Sequence, residues 1–278
     1  MPHAPKPSPD STVALYQVDA FTNRPFKGNP AAVCLLSAPR DDAWMQALAL
    51  ENNLSETAFL LKEAGGEYRL RWFTPTVEIE LCGHATLATA HVMFETGLLA
   101  KGETARFNTL SGVLTVTREQ GRLVMDFPAD PPHAIEPPAG LGEALGLPPG
   151  QALRWVGQGR MGWLVELDRA EQIKSLAPDA IRLRALGVSI LTATARGDGA
   201  PYHMVSRVFG PGVGIEEDPV TGGAHCILGP YWAERLGRTD MMALQASARG
   251  GEMGVALRGN RVLLSGEAVT VMRMELLV

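Results

Sequence analysis

A single carboxylate is the first residue whose surroundings suggest chemistry. In LSETAFLLK, Ser55, Glu56 and Thr57 lead into a strongly apolar run, so Glu56 stands among Leu54, Ala58 and Phe59. A carboxyl group partly withdrawn from water can both accept and return a proton near neutral pH. A water-exposed cap is the equally available structural alternative. Cys82-Gly83-His84 falls where a loop becomes a helix-like run. Backbone amides at a helix start attract anions, and glycine lets a ligand approach closely. The plain alternative is a glycine turn with His84 as N-cap. A third stretch, Glu217-Asp218-Pro219-Val220-Thr221-Gly222-Gly223, offers the same anion-holding backbone, and Asp218 there could orient or relay a proton or simply shape a turn. The chemistry these residues suit is proton movement on a small anionic substrate.

The elements that must position them are written twice. Arg71/Arg207, Phe73/Phe209, Pro75/Pro211, Val77/Val213, Ile79/Ile215 and Glu80/Glu216 match without a gap. Sliding the second copy by three residues then aligns Cys82-Gly83-His84-Ala85 with Thr221-Gly222-Gly223-Ala224, each followed by an apolar, helix-like run. Both copies read as strand, loop, helix, at a spacing too long for a solenoid repeat, so the pattern predicts a duplicated domain. Two such halves packed face to face would aim two helix starts at one cleft, with Glu56 and Asp218 lining it.

A chain of 278 residues suits two domains of this size. We place them at 12–120 and 121–278, with the C-terminal strand able to pack back onto the first. Hydrophobic content of 46% and a formal charge of -5 describe an ordinary globular chain with no basic footprint for nucleic acid. Cys34, Cys82 and Cys226 form no CxxC pair, which argues against a disulfide framework and gives no support for a metal site. Cys34 and Cys226 read as core. MPHAPKPSPDST reads as a frayed end and not as a secretory signal, and no apolar run is long enough to span a bilayer. No membrane partner is expected, and the cytoplasm is the default location.

Along the chain, strands are expected at Ala14–Phe21, Ala31–Leu36, after Ser55, at Tyr68–Phe73, through Ala105–Asn108, Gly112–Thr117 and Arg122–Phe127, and again in the second half up to Ala268–Leu276. Helices are expected from Asp41 or Asp42 to about Glu51, from His84 to Glu95 with Gly97 as C-cap, across Ala170–Gly187, and from about Ala224 to Leu236. These proportions give a mixed α/β or α+β class.

YQVDAFTNRPFKGNPAAVCLL, NNLSETAFLL, RWFTPTVEIELCGHATLATAH and GIEEDPVTGGAH, in this order, resemble the PhzF-like phenazine-biosynthesis isomerases over residues 15 to 276. The resemblance implies the diaminopimelate epimerase-like fold, two similar domains each a sheet curled around a central helix. It implies a cofactor-independent isomerase, as the best-known member converts trans-2,3-dihydro-3-hydroxyanthranilate without a cofactor. It implies Glu56, His84 and Asp218 as catalytic residues. Gly83, Thr221, Gly222, Gly223, Ser55 and Cys82 fall with the substrate-binding loops, and a homodimer is implied by resemblance alone. Where the family has a small polar residue after the TG of EDPVTG, this chain has Gly223. The alternatives are an epimerase or racemase using Cys82, and a catalytically silent binding protein. A two-thiol racemase is disfavoured because Thr221 stands opposite Cys82 in the repeat and is far too weak an acid.

Overall fold

The computed structural model describes residues 13–277. The opening MPHAPKPSPDST and Val278 lie outside the described residues. The chain begins with β1 (Val13–Ala20), β2 (Asn29–Leu36), α1 (Asp42–Asn52), β3 (Glu56–Lys62), β4 (Tyr68–Phe73) and β5 (Glu78–Ile79). It continues through α2 (Gly83–Glu95), β6 (Ala105–Thr109), β7 (Gly112–Glu119), β8 (Arg122–Pro128), β9 (His133–Ala134) and α3 (Leu141–Ala144). Then come β10 (Trp155–Gly159), β11 (Gly162–Glu166), α4 (Ala170–Ser175), α5 (Ala180–Ala185), β12 (Leu191–Gly199) and β13 (Tyr202–Gly210). The last are β14 (Ile215–Asp218), α6 (Gly222–Leu236), β15 (Asp240–Gln245), β16 (Gly251–Arg258), β17 (Arg261–Gly266) and β18 (Ala268–Leu276). They gather into two compact units, one of residues 13–26, 30–123 and 267–277, the other of Lys27–Asn29 and Val124–Gly266. The final strand therefore belongs with the first unit.

In the first unit β2 and β3 are parallel, β3 and β4 antiparallel, β4 and β6 parallel, β6 and β7 antiparallel, and β5 is a short antiparallel partner of β4. The second unit repeats the scheme with β11, β12, β13, β15 and β16, and β14 as the short partner of β13. The duplication read from sequence is thus present in the hydrogen-bond ladder.

Its register, however, differs from the gapless match. Trp72 pairs with Ile79, and Val208 pairs with Asp218. Since Arg71/Arg207 and Phe73/Phe209 flank those positions, Ile79 corresponds to Asp218 and Glu78 to Glu217. The three-residue offset enters before the short strand, at the 3-10 turn Pro211–Val213 closed by left-handed Gly214. The matches Val77/Val213, Ile79/Ile215 and Glu80/Glu216 are therefore coincidences of spelling. Side chains agree. Arg71 forks onto Glu78 at 2.6 Å through two nitrogens and lies over the Phe73 ring. Arg207 forks onto Glu217 at 2.7 and 2.8 Å and lies over Phe209.

Each unit has one deeply buried helix. In α2 nearly every residue from His84 to Met93 is buried, so the helix is apolar all round, as a helix enclosed by a sheet must be. Its two threonines remain tolerable because Thr86 Oγ1 donates to the Cys82 carbonyl and Thr89 Oγ1 to that of Ala85. In α6, Pro230 removes the N–H that would bond the Cys226 carbonyl. The Asp130 N–H donates to that oxygen instead, at 3.0 Å. Strand β3 is buried on both faces: Phe59 joins Met45, Leu48 and Phe73 on the α1 side, while Ala58 and Leu60 are buried with the opposite parity.

Two local expectations change, and one strand goes unanticipated. The apolar run Ala170–Gly187 is not one helix but α4 and α5, because Pro178 cannot continue a helix and Asp179 caps a new one by accepting from the Ile181 and Arg182 amides. Strand β10 starts at Trp155 and not at Ala152. Strand β15, spelled DMMALQ, carries no β-branched residue and only its alternating burial marks it as a strand.

Candidate active site

Glu56 is the first residue of β3 and shares its parity with Ala58 and Leu60, which places it on the sheet face opposite the α1 cluster. Helix α2 packs against this strand, and its first turn carries His84. The two meet: His84 Nε2 lies 3.1 Å from Glu56 Oε2. On the other side of the ring, Cys82 Sγ lies 3.5 Å from Nδ1. Relative exposures of 8% for Glu56, 5% for His84 and 6% for Cys82 make this a dry cluster. Despite their distance, Glu56 Oε2 and His84 Nε2 are not aligned as a hydrogen bond, and neither atom has another partner. Unsatisfied buried polar atoms are rare in folded chains, so each calls for an explanation.

Burial opposes a charge on His84, but Cys82 and Glu56 at its two nitrogens outweigh that and hold its pKa well above 6.5. Burial pushes the Cys82 thiol up as well, Glu56 adds to this, and His84 offsets part of it. His84 is thus poised to carry a positive charge beside the Glu56 side chain. Cys82 is the N-cap of α2 in extended conformation, with no side-chain capping bond, and a helix start of this kind favours a negative group. Gly83, half-buried, begins the helix, and Ser55, also half-buried, precedes Glu56.

The other sequence-predicted residues lie in the second unit. Asp218 ends β14 and accepts from Asn29 Nδ2 at 2.7 Å and from Thr221 Oγ1 at 2.5 Å. Because its hydroxyl is turned to Asp218, Thr221 does not cap α6, and that helix start is also left without a side-chain cap. Gln245, at 1% exposure, holds the loop: its Oε1 accepts from the Thr221 amide, and its Nε2 donates to the Asp218 carbonyl and to Thr221 Oγ1. Ser247 donates to the Pro219 carbonyl and Asn29 to that of Val220. Gly222 and Gly223 open α6, and a Cβ on Gly223 would stand 2.6 Å from the Met161 methyl. Sequence reading missed Asn29, Gln245 and Met161. Asn29 sits in the turn-rich KGNP and could have been noticed there, whereas Gln245 and Met161 carry no local signal.

The register equates Thr57 with Leu191, since each faces the equivalent phenylalanine, Phe73 or Phe209. Glu56 therefore has Ile190 as its counterpart, and His84 has Gly223. The Glu56–His84 pair therefore has no counterpart in the second unit. Among the described residues, Glu56, Cys82 and His84 also form a grouping able to hold a metal ion, with donor atoms within 4.8 Å of one another. Sulfur and carboxylate face opposite ring nitrogens, whereas a metal uses one, so the arrangement as built suits proton exchange better than coordination.

This fold is that of epimerase-like proteins. A hydroxyproline epimerase from Agrobacterium vitis matches 95% of this chain and 92% of its own with a TM-score of 0.62 at 10% identity, a likeness of fold alone. A PhzF-family phenazine biosynthesis protein from Enterococcus faecalis matches 96% of this chain and 100% of its own with a TM-score of 0.90 at 41% identity. A protein named as an uncharacterized isomerase, from Halalkalibacterium halodurans, is 46% identical over 96% of this chain and 99% of its own. The model of the phenazine biosynthesis-like (PhzC-PhzF) family matches residues 18–274. The chain belongs to that family and is, by class, an isomerase. No helix among the described residues is long and apolar enough to cross a membrane.

Proposed function

We propose that this isomerase shifts a proton within a small, cyclic or enolisable carboxylic acid, without a cofactor, with Glu56 as the general acid/base. Glu56 takes the proton beside an activated carbon and returns it elsewhere on the same face, His84 supplies the neighbouring positive charge, and Asp218 is the third reacting residue. The observation that supports this reading most is the buried pair at 3.1 Å whose facing atoms have no hydrogen-bond partner. An imidazolium beside a carboxylate stabilises the anionic form that must accept a proton, and the carboxylic acid it becomes can give the proton back. With Ile190 and Gly223 at the equivalent positions, Glu56 and His84 have no counterparts in the second unit, which favours a same-face shift over inversion by two matched bases. The uncapped start of α2 favours a substrate carboxylate by roughly 0.3–1 kcal/mol when exposed. A homodimer, which rests on the family resemblance alone, and the cytoplasm as the default location complete the proposal.

The test is exchange of substrate hydrogen for deuterium in heavy water, with trans-2,3-dihydro-3-hydroxyanthranilate as the first compound and related cyclic acids after it. Glu56→Gln should keep the fold and substrate affinity while lowering turnover about a hundredfold or more. Activity retained in that variant removes Glu56 from the role.

A further inference from the structure

Both carboxyl oxygens of Asp218 accept from neighbouring side chains, and each donor stands in a direction that leaves it no other role. We propose that Asn29 is a positioning residue for Asp218: its amide fixes one carboxyl oxygen while Gln245, acting through the Thr221 hydroxyl, fixes the other, so that Asp218 meets a ligand as a hydrogen-bond acceptor with no proton to give. The inference rests on the proposed part of Asp218 in the reaction for its catalytic meaning, but the geometry behind it involves no substrate.

Asn29 is fully buried, and its Nδ2 donates to the Val220 carbonyl at 2.9 Å and to Asp218 Oδ1 at 2.7 Å. A carbonyl can only accept, so the amide nitrogen must be the atom on that side, and its second N–H then points at Asp218. Asn29 Oδ1 is buried with no partner among the described residues. An apolar residue of the same size would not carry that cost, so the two donated bonds are what the amide contributes. At the other oxygen the direction is set from Gln245. Its Oε1 accepts from the Thr221 amide at 2.9 Å, which makes Nε2 the donor to the Asp218 backbone carbonyl at 2.7 Å and to Thr221 Oγ1 at 3.2 Å. Since that hydroxyl oxygen accepts from Gln245, its own proton goes to Asp218 Oδ2, 2.5 Å away, the separation of a hydroxyl donating to a charged carboxylate.

The backbone beneath Asn29 is fixed as well. Gly28, at a left-handed φ of 64°, donates to the Gly250 carbonyl at 2.7 Å, and Arg249 donates to the Gly28 and Lys27 carbonyls at 2.8 and 2.9 Å. Lys27–Asn29 belongs with the second unit, where Asp218 lies. Asp218 itself is only half-buried, so the clamp does not enclose it. Held from two sides it keeps one rotamer, and a reacting group displaced by about 1 Å can lose about a hundredfold in rate.

The experiment is NMR on the full chain labelled with 13C and 15N at asparagine and aspartate, with signals assigned by their loss in Asp218→Ala and Asn29→Leu. Three-bond couplings from the Asp218 carboxyl carbon to its own backbone nitrogen and carbonyl carbon read the side-chain rotamer, and the Asn29 amide protons read their acceptors. In the wild type the couplings should report one rotamer, and both amide protons should be protected from exchange with water. Asn29→Leu, folded by circular dichroism, should average the couplings over several rotamers, and Thr221→Val should do so in part. Asn29→Ser gives the same test should the leucine variant not fold. A wild-type Asp218 that already averages over rotamers overturns the proposal without reference to any variant. So does a folded Asn29→Leu protein that keeps the single rotamer. Where deuterium exchange on trans-2,3-dihydro-3-hydroxyanthranilate or a related cyclic acid is detectable, Asn29→Leu should lower kcat by up to about a hundredfold with KM little changed. In an Asp218→Asn background the same change should lower it no further, and a further loss there overturns the assignment of Asn29 to Asp218. Absence of all exchange in the wild type counts against the proton-shift reading and leaves the rotamer result to decide the proposal.

Discussion

At the scale of single residues, two buried histidines sit in opposite electrostatic settings, and pH separates them. His225 is fully buried, and its Nδ1 lies 2.8 Å from the Thr221 carbonyl, which can only accept, so Nδ1 carries the proton. Nε2 is then a buried lone pair with no partner, and burial lowers the pKa to about 4. Its folded pKa lies below the unfolded 6.5, so the unfolded chain binds the extra proton first as pH falls. His225 therefore withdraws stability between pH 6.5 and about 4, by about 3 kcal/mol at the low end. His84 acts in the other direction. With its folded pKa well above 6.5, its contribution is fully present below 6.5 and is lost as pH rises through the folded value. Urea midpoints from pH 4 to 9 should show His225→Asn flattening the acid limb and His84→Gln flattening the alkaline limb. An acid limb unchanged in His225→Asn would mean that protonation of other groups governs it.

At the scale of elements, the duplicated arginines should differ in worth although they look alike. Arg71 and Arg207 each fork onto a glutamate, and their side chains are similarly enclosed, at 15% and 13% exposure. Arg207 additionally donates to the Leu176 carbonyl at 2.6 Å, tying the end of α4 to β13, whereas the extra partner of Arg71 is the exposed Asp42. Removing one member of a largely buried ion pair costs about 3–5 kcal/mol, and each lost bond to a charged donor adds up to about 1.5–3. Arg207→Ala should therefore destabilise its unit by about 1–2 kcal/mol more than Arg71→Ala does its own, measured by denaturant midpoints of local hydrogen exchange. Equal losses would mean that the carbonyl contact contributes nothing. The same pair explains what the sequence made legible. Arg71/Arg207 and Phe73/Phe209 announced the repeat because a forked ion pair under an aromatic ring demands particular residue types. The short strands β5 and β14 were hidden because two to four residues hold no periodicity, and so the offset of the repeat was misplaced. Glu56 was legible as a charge within an apolar run. Its contact with His84 was not, because only the parity of β3 against the buried helix α2 brings the two together. Gln245 escaped for the same reason, being a single amide on a strand that itself reads weakly.

At the scale of the molecule, the first unit is closed by the last strand of the chain, and its catalytic candidates depend on residues some two hundred positions later. Strand β18 lies antiparallel to β1 from Val13↔Leu276 to Ala20↔Ala268, with one irregularity at Gln17/Val18, and α2 packs against both strands. Roughly six ladder hydrogen bonds at about 1 kcal/mol each amount to about 6 kcal/mol, which is comparable to the entire stability of a domain. Deletion of residues 267–278 should therefore do more than fray an edge. It should leave β1 with β2 as its remaining neighbour and expose one side of the apolar helix α2 whose first turn carries His84. The second unit contains its own ladder from β9 to β17 and its own core around Leu141, Ile173, Leu183 and Phe209. Hydrogen-exchange mass spectrometry on the truncated chain should show peptides of β1 to β7 losing protection together while those of β10 to β16 keep theirs. Supplying the missing strand as a peptide should restore protection in the first group. A truncated chain with full protection across β1 and α2 would show that β18 is an ornament on a unit already complete, and the Glu56–His84 pair would then owe its burial to the first 123 residues alone.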